Sequence, residues 1–220
     1  MKSIVVILAG GKGSRLNKSK EKQFVKVNGY SILEHTLNKF LECYSKNRLL
    51  IVLPIANLNK IELNKYKKYT SHKFIINGST RKQSVRNSIE YIKNLNKIPE
   101  NILIHDAARP NISTKLINNI KNNIHKKNMN FVIPYLNIDS TLKKKIGNKV
   151  ETLNRKTFIT TQTPQAFKFL KISELYSFKD KITDDAQLVE LYNVSSGKYI
   201  EGEIDNIKIT NKDDLELFRK

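Results

Sequence analysis

A chain of 220 residues with 39% hydrophobic side chains can bury a core of its own and suits one α/β domain with at most a small arm. Its net charge of +20, from 40 Lys and Arg against 20 Asp and Glu, points to anionic partners. No apolar run approaches the roughly 20 residues that cross a bilayer, and Cys43, the single cysteine, excludes an intrachain disulfide or a cysteine-based zinc site. The basic residues are mostly Lys and are spread along the chain. Asn and Ile are abundant too, so the charge reads as codon bias plus an anionic small-molecule substrate more than as a nucleic-acid surface.

Residues 4–8 form a short apolar run. It passes into Gly-rich polar sequence without a cleavage site, so it reads as a buried strand, not a secretory signal, and the chain as cytoplasmic. The loop Leu8-Ala9-Gly10-Gly11-Lys12-Gly13-Ser14-Arg15-Leu16 comes next. Glycines let backbone N–H groups close on a phosphate, and Arg15 adds a forked cation. The loop lacks the Gly-Lys-Ser/Thr ending of a Walker A motif and the third glycine of the dinucleotide fingerprint. A flexible basic surface turn is the plainer alternative, but a glycine cluster directly after the first buried strand favours a phosphate site, with Lys22 within reach.

Helical patterns at 32–43, 58–69, 82–95 and 114–126 alternate with strand candidates at 49–53, 74–76, 102–105 and 131–134. That alternation predicts a mainly parallel sheet covered on both faces, with ligands beyond the carboxyl ends of the strands. Asn77-Gly78-Ser79-Thr80-Arg81-Lys82-Gln83-Ser84-Val85 runs from a strand end into a helix; Ser79 or Thr80 serves as an N-cap, or the backbone around Gly78 and the Ser84 hydroxyl read a base. Ile102-Leu103-Ile104-His105-Asp106-Ala107-Ala108-Arg109-Pro110 ends a strand in an acid, two small residues and a cation. Asp106 is a candidate Mg²⁺ or hydroxyl ligand and Arg109 a phosphate ligand, unless the two simply pair to close a turn. His105 reads as a packed histidine, and the histidines at 35, 72, 105 and 125 lack zinc-site spacing.

From about 136 to 155 the pattern changes to a polar hairpin turning at Gly147-Asn148, which reads as a projecting arm on a single domain spanning 1–220. Arg155 ends it, and beyond it lie Thr161-Gln162-Thr163-Pro164-Gln165, Thr183-Asp184-Asp185 and the alternating run Asp205-Asn206-Ile207-Lys208-Ile209-Thr210. Adjacent acids such as Asp184 and Asp185 usually point apart, so they read as capping or supporting groups.

Taken in order, these segments resemble the 2-C-methyl-D-erythritol 4-phosphate cytidylyltransferase family of the non-mevalonate isoprenoid pathway. The resemblance rests on Ala9 through Arg15, Lys22-Gln23-Phe24, Gly78 through Val85, His105 through Pro110, Gln162 through Gln165 and Asp205 through Thr210. It implies a Rossmann-like nucleotidyltransferase fold that dimerises through the arm, with CTP and methylerythritol phosphate as substrates and Mg²⁺ as cofactor. Arg15, Lys22 and the glycine loop with Gly11 and Gly13 would hold the triphosphate. Ala9, Gly10, Gly78 and Ser84 would read cytosine. Asp106, which also faces CTP and the metal, would line the second substrate site with Arg109, Thr163, Thr183 and Lys208; the CTP phosphates would carry most of the Mg²⁺ coordination. Thr141 and Arg155 would reach into the neighbouring subunit's site. Arg15, Lys22 and Lys208 are the catalytic candidates.

Three positions depart from the pattern: Glu21 stands where the family usually has proline, Asn77 replaces a frequent glycine, and Ser79 stands where some members carry aspartate. A ribitol 5-phosphate cytidylyltransferase shares most of the CTP motifs and is the nearest alternative. A sugar-1-phosphate or molybdopterin nucleotidyltransferase fits the first loop but not the 205–210 segment. A basic nucleic-acid-binding protein would explain the charge but not the ordered polar loops; neither nucleic acid nor membrane is an expected partner.

Overall fold

The computed structural model describes residues 1–11, 21–178 and 181–219. Lys12 through Arg15 of the glycine loop, Gly13 and Arg15 included, lie outside the described residues. β1 (Ser3–Leu8) precedes a 3-10 turn at Lys22–Phe24, a small hairpin of β2 (Lys26–Val27) and β3 (Tyr30–Ser31), and α1 (Ile32–Leu41). Next come β4 (Leu49–Leu53), α2 (Lys60–Tyr66), β5 (Ile75–Ile76), α3 (Arg81–Lys93), β6 (Asn101–Asp106) and α4 (Thr114–Ile124). The second half holds β7 (Phe131–Asn137), β8 (Lys143–Ile146), β9 (Lys149–Thr152), β10 (Ile159–Thr161), β11 (Gln165–Lys168), α5 (Phe169–Leu175), α6 (Ala186–Leu191), β12 (Lys198–Glu201) and α7 (Lys212–Arg219).

Local chemistry starts the helices where the chain needs them. Ser31 with Glu34 opens α1, and Asn59 with Glu62 opens α2, each a reciprocal capping box. Thr80 and Ser113 cap α3 and α4 through their hydroxyls. The predicted helix at 58–69 is shorter, since a 3-10 turn at Lys67–Tyr69 completes it.

In the main sheet β6, β1, β4 and β5 run parallel side by side. β11 adds antiparallel to β6, and β7 antiparallel to β11. β10 and β11 are one long strand along the same edge of β7, broken at Gln162-Thr163-Pro164, where the Thr163–Pro164 peptide is cis. β12 pairs with the opposite edge of β7. The expected mainly parallel, doubly covered α/β sheet is thus observed.

Its central strands are apolar on both faces because both are covered. Val5 and Ile7 pack with Leu33, Leu37 and Phe40 of α1 and with Ile117 and Ile120 of α4. Ile4 and Val6 pack on the other side with Val85 and Ile89 of α3 and Phe169 and Ile172 of α5. A satellite cluster of Val27, Ile32, Ile209 and Leu215 fastens α7 to the β2–β3 hairpin. That anchor fixes the chain just before α7, where Lys208 sits.

The polar hairpin is present as β8–β9, paired from Lys143–Thr152 to Ile146–Lys149, with every residue of both strands exposed. Gly147 has φ +58°, as a two-residue hairpin with glycine at its first turn position requires. Ile146 and Val150 are more than half exposed on it. The 205–210 segment, in contrast, forms no strand: Ile209 N–H donates to the Ala108 carbonyl at 2.8 Å and Asn206 N–H to the Glu203 carbonyl at 3.0 Å. Alternation there reflects one side packed on the hairpin cluster, not a ladder.

Leu37 is fully buried, whereas Ile61 on α2 is 73% exposed. Leu37→Ala should cost about 2–5 kcal/mol of stability, and Ile61→Ala no more than about 0.5 kcal/mol, read as shifts of urea unfolding midpoints at unchanged slope.

Candidate active site

The carboxyl ends of β1, β5 and β6 open onto a cavity of about 310 Å³. Three backbone bonds knit these ends together: Ala9 N–H to Val52 carbonyl, Asn77 N–H to Leu53 carbonyl and Ala107 N–H to Leu8 carbonyl. Gly10 and Gly78 permit close packing at the rim. A Cβ on Gly10 would lie 2.2 Å from Asn77 Cβ, and one on Gly78 2.3 Å from Gln83 Cβ. Asn77 uses the space at Gly10 by donating from Nδ2 to the Gly10 carbonyl at 3.1 Å.

Asp106 ends β6 and is 8% exposed. Its Oδ1 accepts from Arg81 Nε at 3.1 Å and its Oδ2 from Lys208 Nζ at 2.7 Å. Arg81 then places Nη2 2.8 Å from Oδ2 of Asp185, an ion pair without hydrogen-bond alignment. Asp185, fully buried, accepts a hydrogen bond from the Tyr176 hydroxyl. Two cations and two acids therefore alternate in one row, and each charge in it faces an opposite one.

Burial by itself would raise the Asp106 carboxyl. Arg81, Lys208 and Arg109, with the hydrogen bond from Lys208, outweigh it and hold the group far below the usual carboxylate range. Burial likewise opposes the Arg81 charge, but Asp185 and Asp106 keep it firmly protonated.

His105, fully buried, lies behind this row. Burial pushes its pKa down to about 3, so the ring is neutral. Its Nε2 faces the Arg109 carbonyl at 3.2 Å and must donate; its Nδ1 then accepts from Thr163 Oγ1 at 3.1 Å. Thr163 Oγ1 in turn accepts from Asp106 N–H at 3.1 Å. The chain holds the end of β6 in place.

The 203–210 segment is clamped by side chains. Gln162 donates from Nε2 to the Glu203 carbonyl at 2.8 Å and accepts at Oε1 from Glu203 N–H at 3.0 Å. Arg109 Nη1 donates to the Asn206 carbonyl at 2.8 Å. Lys22 Nζ donates to the Ile209 carbonyl at 2.8 Å, so both lysines meet at the same stretch of chain. Gln23 holds the other side, donating from Nε2 to the Ala9 carbonyl at 2.6 Å and to Glu21 Oε2 at 2.7 Å. Glu21, the replacement for proline, also accepts from Asn57 Nδ2 at 2.8 Å; burial raises its pKa against these two bonds.

Of the residues singled out in the sequence, Ala9, Gly10, Gly11, Lys22, Gly78, Ser84, Asp106 and Lys208 all line the cavity. Both backbone polar groups of Ala9 have partners in the protein. Ser84 Oγ accepts from Gly78 N–H and donates to the Thr80 carbonyl, which shapes the 78–84 turn. Arg109 and Thr163 stand behind the wall in the contacts just given, and neither is a lining residue. Thr183 is exposed and bonded to Gln187 Oε1. Thr141 and Arg155 are on the exposed arm region, where Arg155 donates to the Asp139 carbonyl. Asp184 and Asp185 point apart as expected, Asp184 accepting from Thr161, Gln165 and the N–H of Gln187.

Arg81, Gln23 and Gln162 carry structural duties at the site that sequence reading did not assign. Arg81 follows the N-cap Thr80, where any polar residue is ordinary, and its acids lie 25 and 104 positions away along the chain. Among the described residues Asp106 is the only carboxylate lining the cavity, and no group of three or more His, Cys, Asp or Glu that could hold a metal ion is gathered. Such a site suits Mg²⁺ held by one carboxylate plus substrate phosphates and water, since each Asp106 oxygen keeps a lone pair beyond its present bond.

Residues 3–219 match the family model described as 2-C-methyl-D-erythritol 4-phosphate cytidylyltransferase. A relative of that name from Thermosipho melanesiensis is 36% identical, with 98% of this chain and 95% of the relative covered. A bifunctional IspD/IspF enzyme from Pelagibacter ubique is 37% identical over 99% of this chain, which spans 57% of that enzyme's length. Among solved structures, the 2-C-methyl-D-erythritol 4-phosphate cytidylyltransferase of Thermus thermophilus superposes with a TM-score of 0.79 at 27% identity, covering 100% of this chain and 98% of that one.

His105 gives the site a pH signature. The unfolded histidine takes up a proton near pH 6.5, while the native one stays neutral down to about 3. The unfolded state thus binds more protons in that window, and stability falls as pH falls through it, by up to about 1.4 kcal/mol per pH unit from this group. Urea unfolding of the parent and His105→Gln between pH 6 and 4 should show a shallower decline in the variant; parallel declines would remove the assignment of a neutral buried ring.

Proposed function

Because this chain belongs to the 2-C-methyl-D-erythritol 4-phosphate cytidylyltransferase family, we propose that it transfers CMP from CTP to 2-C-methyl-D-erythritol 4-phosphate and releases pyrophosphate in isoprenoid precursor synthesis. The observation that carries this reading is the row Lys208–Asp106–Arg81 at the strand ends, with Lys22 meeting Lys208 across one cavity.

The substrate phosphate oxygen attacks the α-phosphorus of CTP in line. A new P–O bond forms, the bond to the β-phosphate oxygen breaks, and pyrophosphate carries away the electron pair. Nucleophile and target are both anionic, so charge neutralisation and alignment matter most. A phosphate nucleophile is already ionised near neutral pH, which removes the need for a general base. The neutral, enclosed His105 accords with that.

Lys22 and Arg15 face the triphosphate in this reading, and Lys208, oriented by Asp106, steadies the incoming phosphate. Asp106 would hold Mg²⁺ together with the CTP phosphates. The ion would supply further neutralisation of the triphosphate. The backbone at Gly10 and Gly78, with Ser84 shaping the turn, reads cytosine, and Gly11 belongs with the triphosphate. Arg109, Thr163 and Thr183 belong to the second substrate's surroundings, the first two by fixing Asp106 and its neighbours.

The working unit is a homodimer in this reading. Support comes from the arm, whose β8–β9 hairpin carries Ile146 and Val150 in the open. Thr141 and Arg155 would then complete the partner's site. The reading includes a cytoplasmic setting, where CTP is made; no described helix is long and apolar enough to cross a membrane.

Purified protein with CTP and Mg²⁺ should release pyrophosphate with methylerythritol 4-phosphate and not with ribitol 5-phosphate. Release with ribitol phosphate alone would keep the chemistry and change the substrate. Lys22→Ala should lower kcat about a hundredfold or more, as loss of a key oxyanion donor does; near-normal turnover in folded variant would remove Lys22 from the chemistry.

A further inference from the structure

The amino ends of the strands carry a second basic cavity, of about 280 Å³, lined by Lys2, Ser3, Tyr44, Arg48, Lys121 and His125 together with Cys43 and Ser45. It lies at the opposite end of β1 from the catalytic cavity. Ser3 and Leu8 are the two ends of a six-residue strand, roughly 17 Å apart at the rise of an extended chain. None of its lining residues is acidic.

Two donors in it are buried with no partner. The Tyr44 hydroxyl is one, on a side chain only 7% exposed; Arg48 Nη1 is the other. Native proteins rarely leave such groups unmet, because a donor withdrawn from water without a partner costs free energy. Burial raises the Tyr44 pKa, so the phenol keeps its proton and can only gain by donating it. Lys121 lies over the Tyr44 ring, 4.7 Å from its centroid, with Nζ donating to the Cys43 carbonyl at 3.0 Å. His125 Nε2 meets Ser3 Oγ at 2.8 Å.

The surrounding charge is predominantly positive. The His125 ring feels Lys2, Lys121 and Lys168 against Glu100. The amino terminus feels Lys97 and Arg48 against the same Glu100. Glu42, the chain neighbour of the lining Cys43, is paired with Lys39.

We propose that this cavity is a binding site for the phosphate group of a small molecule, with Arg48 and the Tyr44 hydroxyl as the central donors and Lys2 and Lys121 as flanking charges. A planar guanidinium beside a neutral hydroxyl and two ammonium groups is a donor set for a tetrahedral oxyanion. The volume, just below the usual range for ligand pockets, takes inorganic phosphate or a small phosphate ester and no large ligand. The site stands independently of the cytidylyl-transfer reading, since it shares no lining residue with the catalytic cavity.

Calorimetry on the whole protein, with CTP and Mg²⁺ filling the catalytic cavity and no second substrate, tests it. Inorganic phosphate and glycerol 3-phosphate are titrated separately, and the tighter arm tells free phosphate from an ester. At least one should bind saturably with a dissociation constant below about 1 mM, an affinity modest for a paired guanidinium and hydroxyl. Arg48→Gln should weaken binding at least tenfold and Tyr44→Phe severalfold, with pyrophosphate release in the catalytic assay unchanged. Tyr44→Phe removes only a hydroxyl and keeps the packed ring, so a folding failure in Arg48→Gln leaves the test intact. No saturable binding in either arm, or equal affinity in the parent and both variants, would overturn the proposal. So would salt-sensitive binding of a single-stranded oligonucleotide lost in Arg48→Gln with no phosphate binding, which would make the patch a nucleic-acid surface.

Discussion

A carboxylate buried at the end of a central strand needs opposite charge around it, and Asp106 draws the rest of the site into place by that need. Withdrawing an ionised carboxylate from water costs several kcal/mol or more unless its partners are close and well directed. Arg81 and Lys208 supply that charge from two directions, at 3.1 and 2.7 Å. Through Arg81 the tip of β6 is tied to the first turn of α3, and through Lys208 to the segment ahead of α7. Asp185 then balances Arg81 from the start of α6. One acid at the tip of β6 so fixes the mutual positions of three separate pieces of chain.

The loops that receive the substrates have little regular structure, and amide and hydroxyl side chains do the work of a ladder there. Gln162 pairs with both backbone groups of Glu203, much as a neighbouring strand would. Gln23 grips the Ala9 carbonyl, Ser84 the Gly78 N–H, and Arg109 the Asn206 carbonyl. These clamps satisfy backbone groups that no sheet ladder reaches. Cationic side chains aimed beforehand at one cavity reduce the reorganisation required when phosphate charge develops there. In the proposed reaction, that alignment and an already ionised phosphate nucleophile make a general base unnecessary.

The central strands were legible from the sequence because a parallel strand buried on both faces is a short uninterrupted apolar run, as in Leu49–Leu53. The helix start at Thr80 was one of two N-cap candidates, with Ser79, that the capping chemistry offered. The antiparallel β10–β11 strand was not legible: each of its two pieces is short, they are separated at Gln162-Thr163-Pro164, and the strand is polar where it supports the site. The small β2–β3 hairpin and the last three helices were missed too, being brief and settled by tertiary packing. At the site, the motifs identified the cavity wall, including Asp106 and Lys208. Arg81 escaped because nothing local distinguishes a buried ion-pair partner from a solvated arginine in a first helical turn. Its acids are distant in sequence, and only the fold brings them together.

Asp185→Asn tests the coupling most directly, since Asp185 is fully buried, does not line the cavity, and reaches it only through Arg81. The amide keeps the shape and removes the charge that holds Arg81 between two acids. With folding verified by circular dichroism, kcat for pyrophosphate release should drop at least tenfold, about 1.4 kcal/mol of lost transition-state stabilisation, with a far smaller change for the conservative Asp185→Glu. Unchanged kcat in a folded Asp185→Asn protein would show that the charge row does not govern the catalytic geometry.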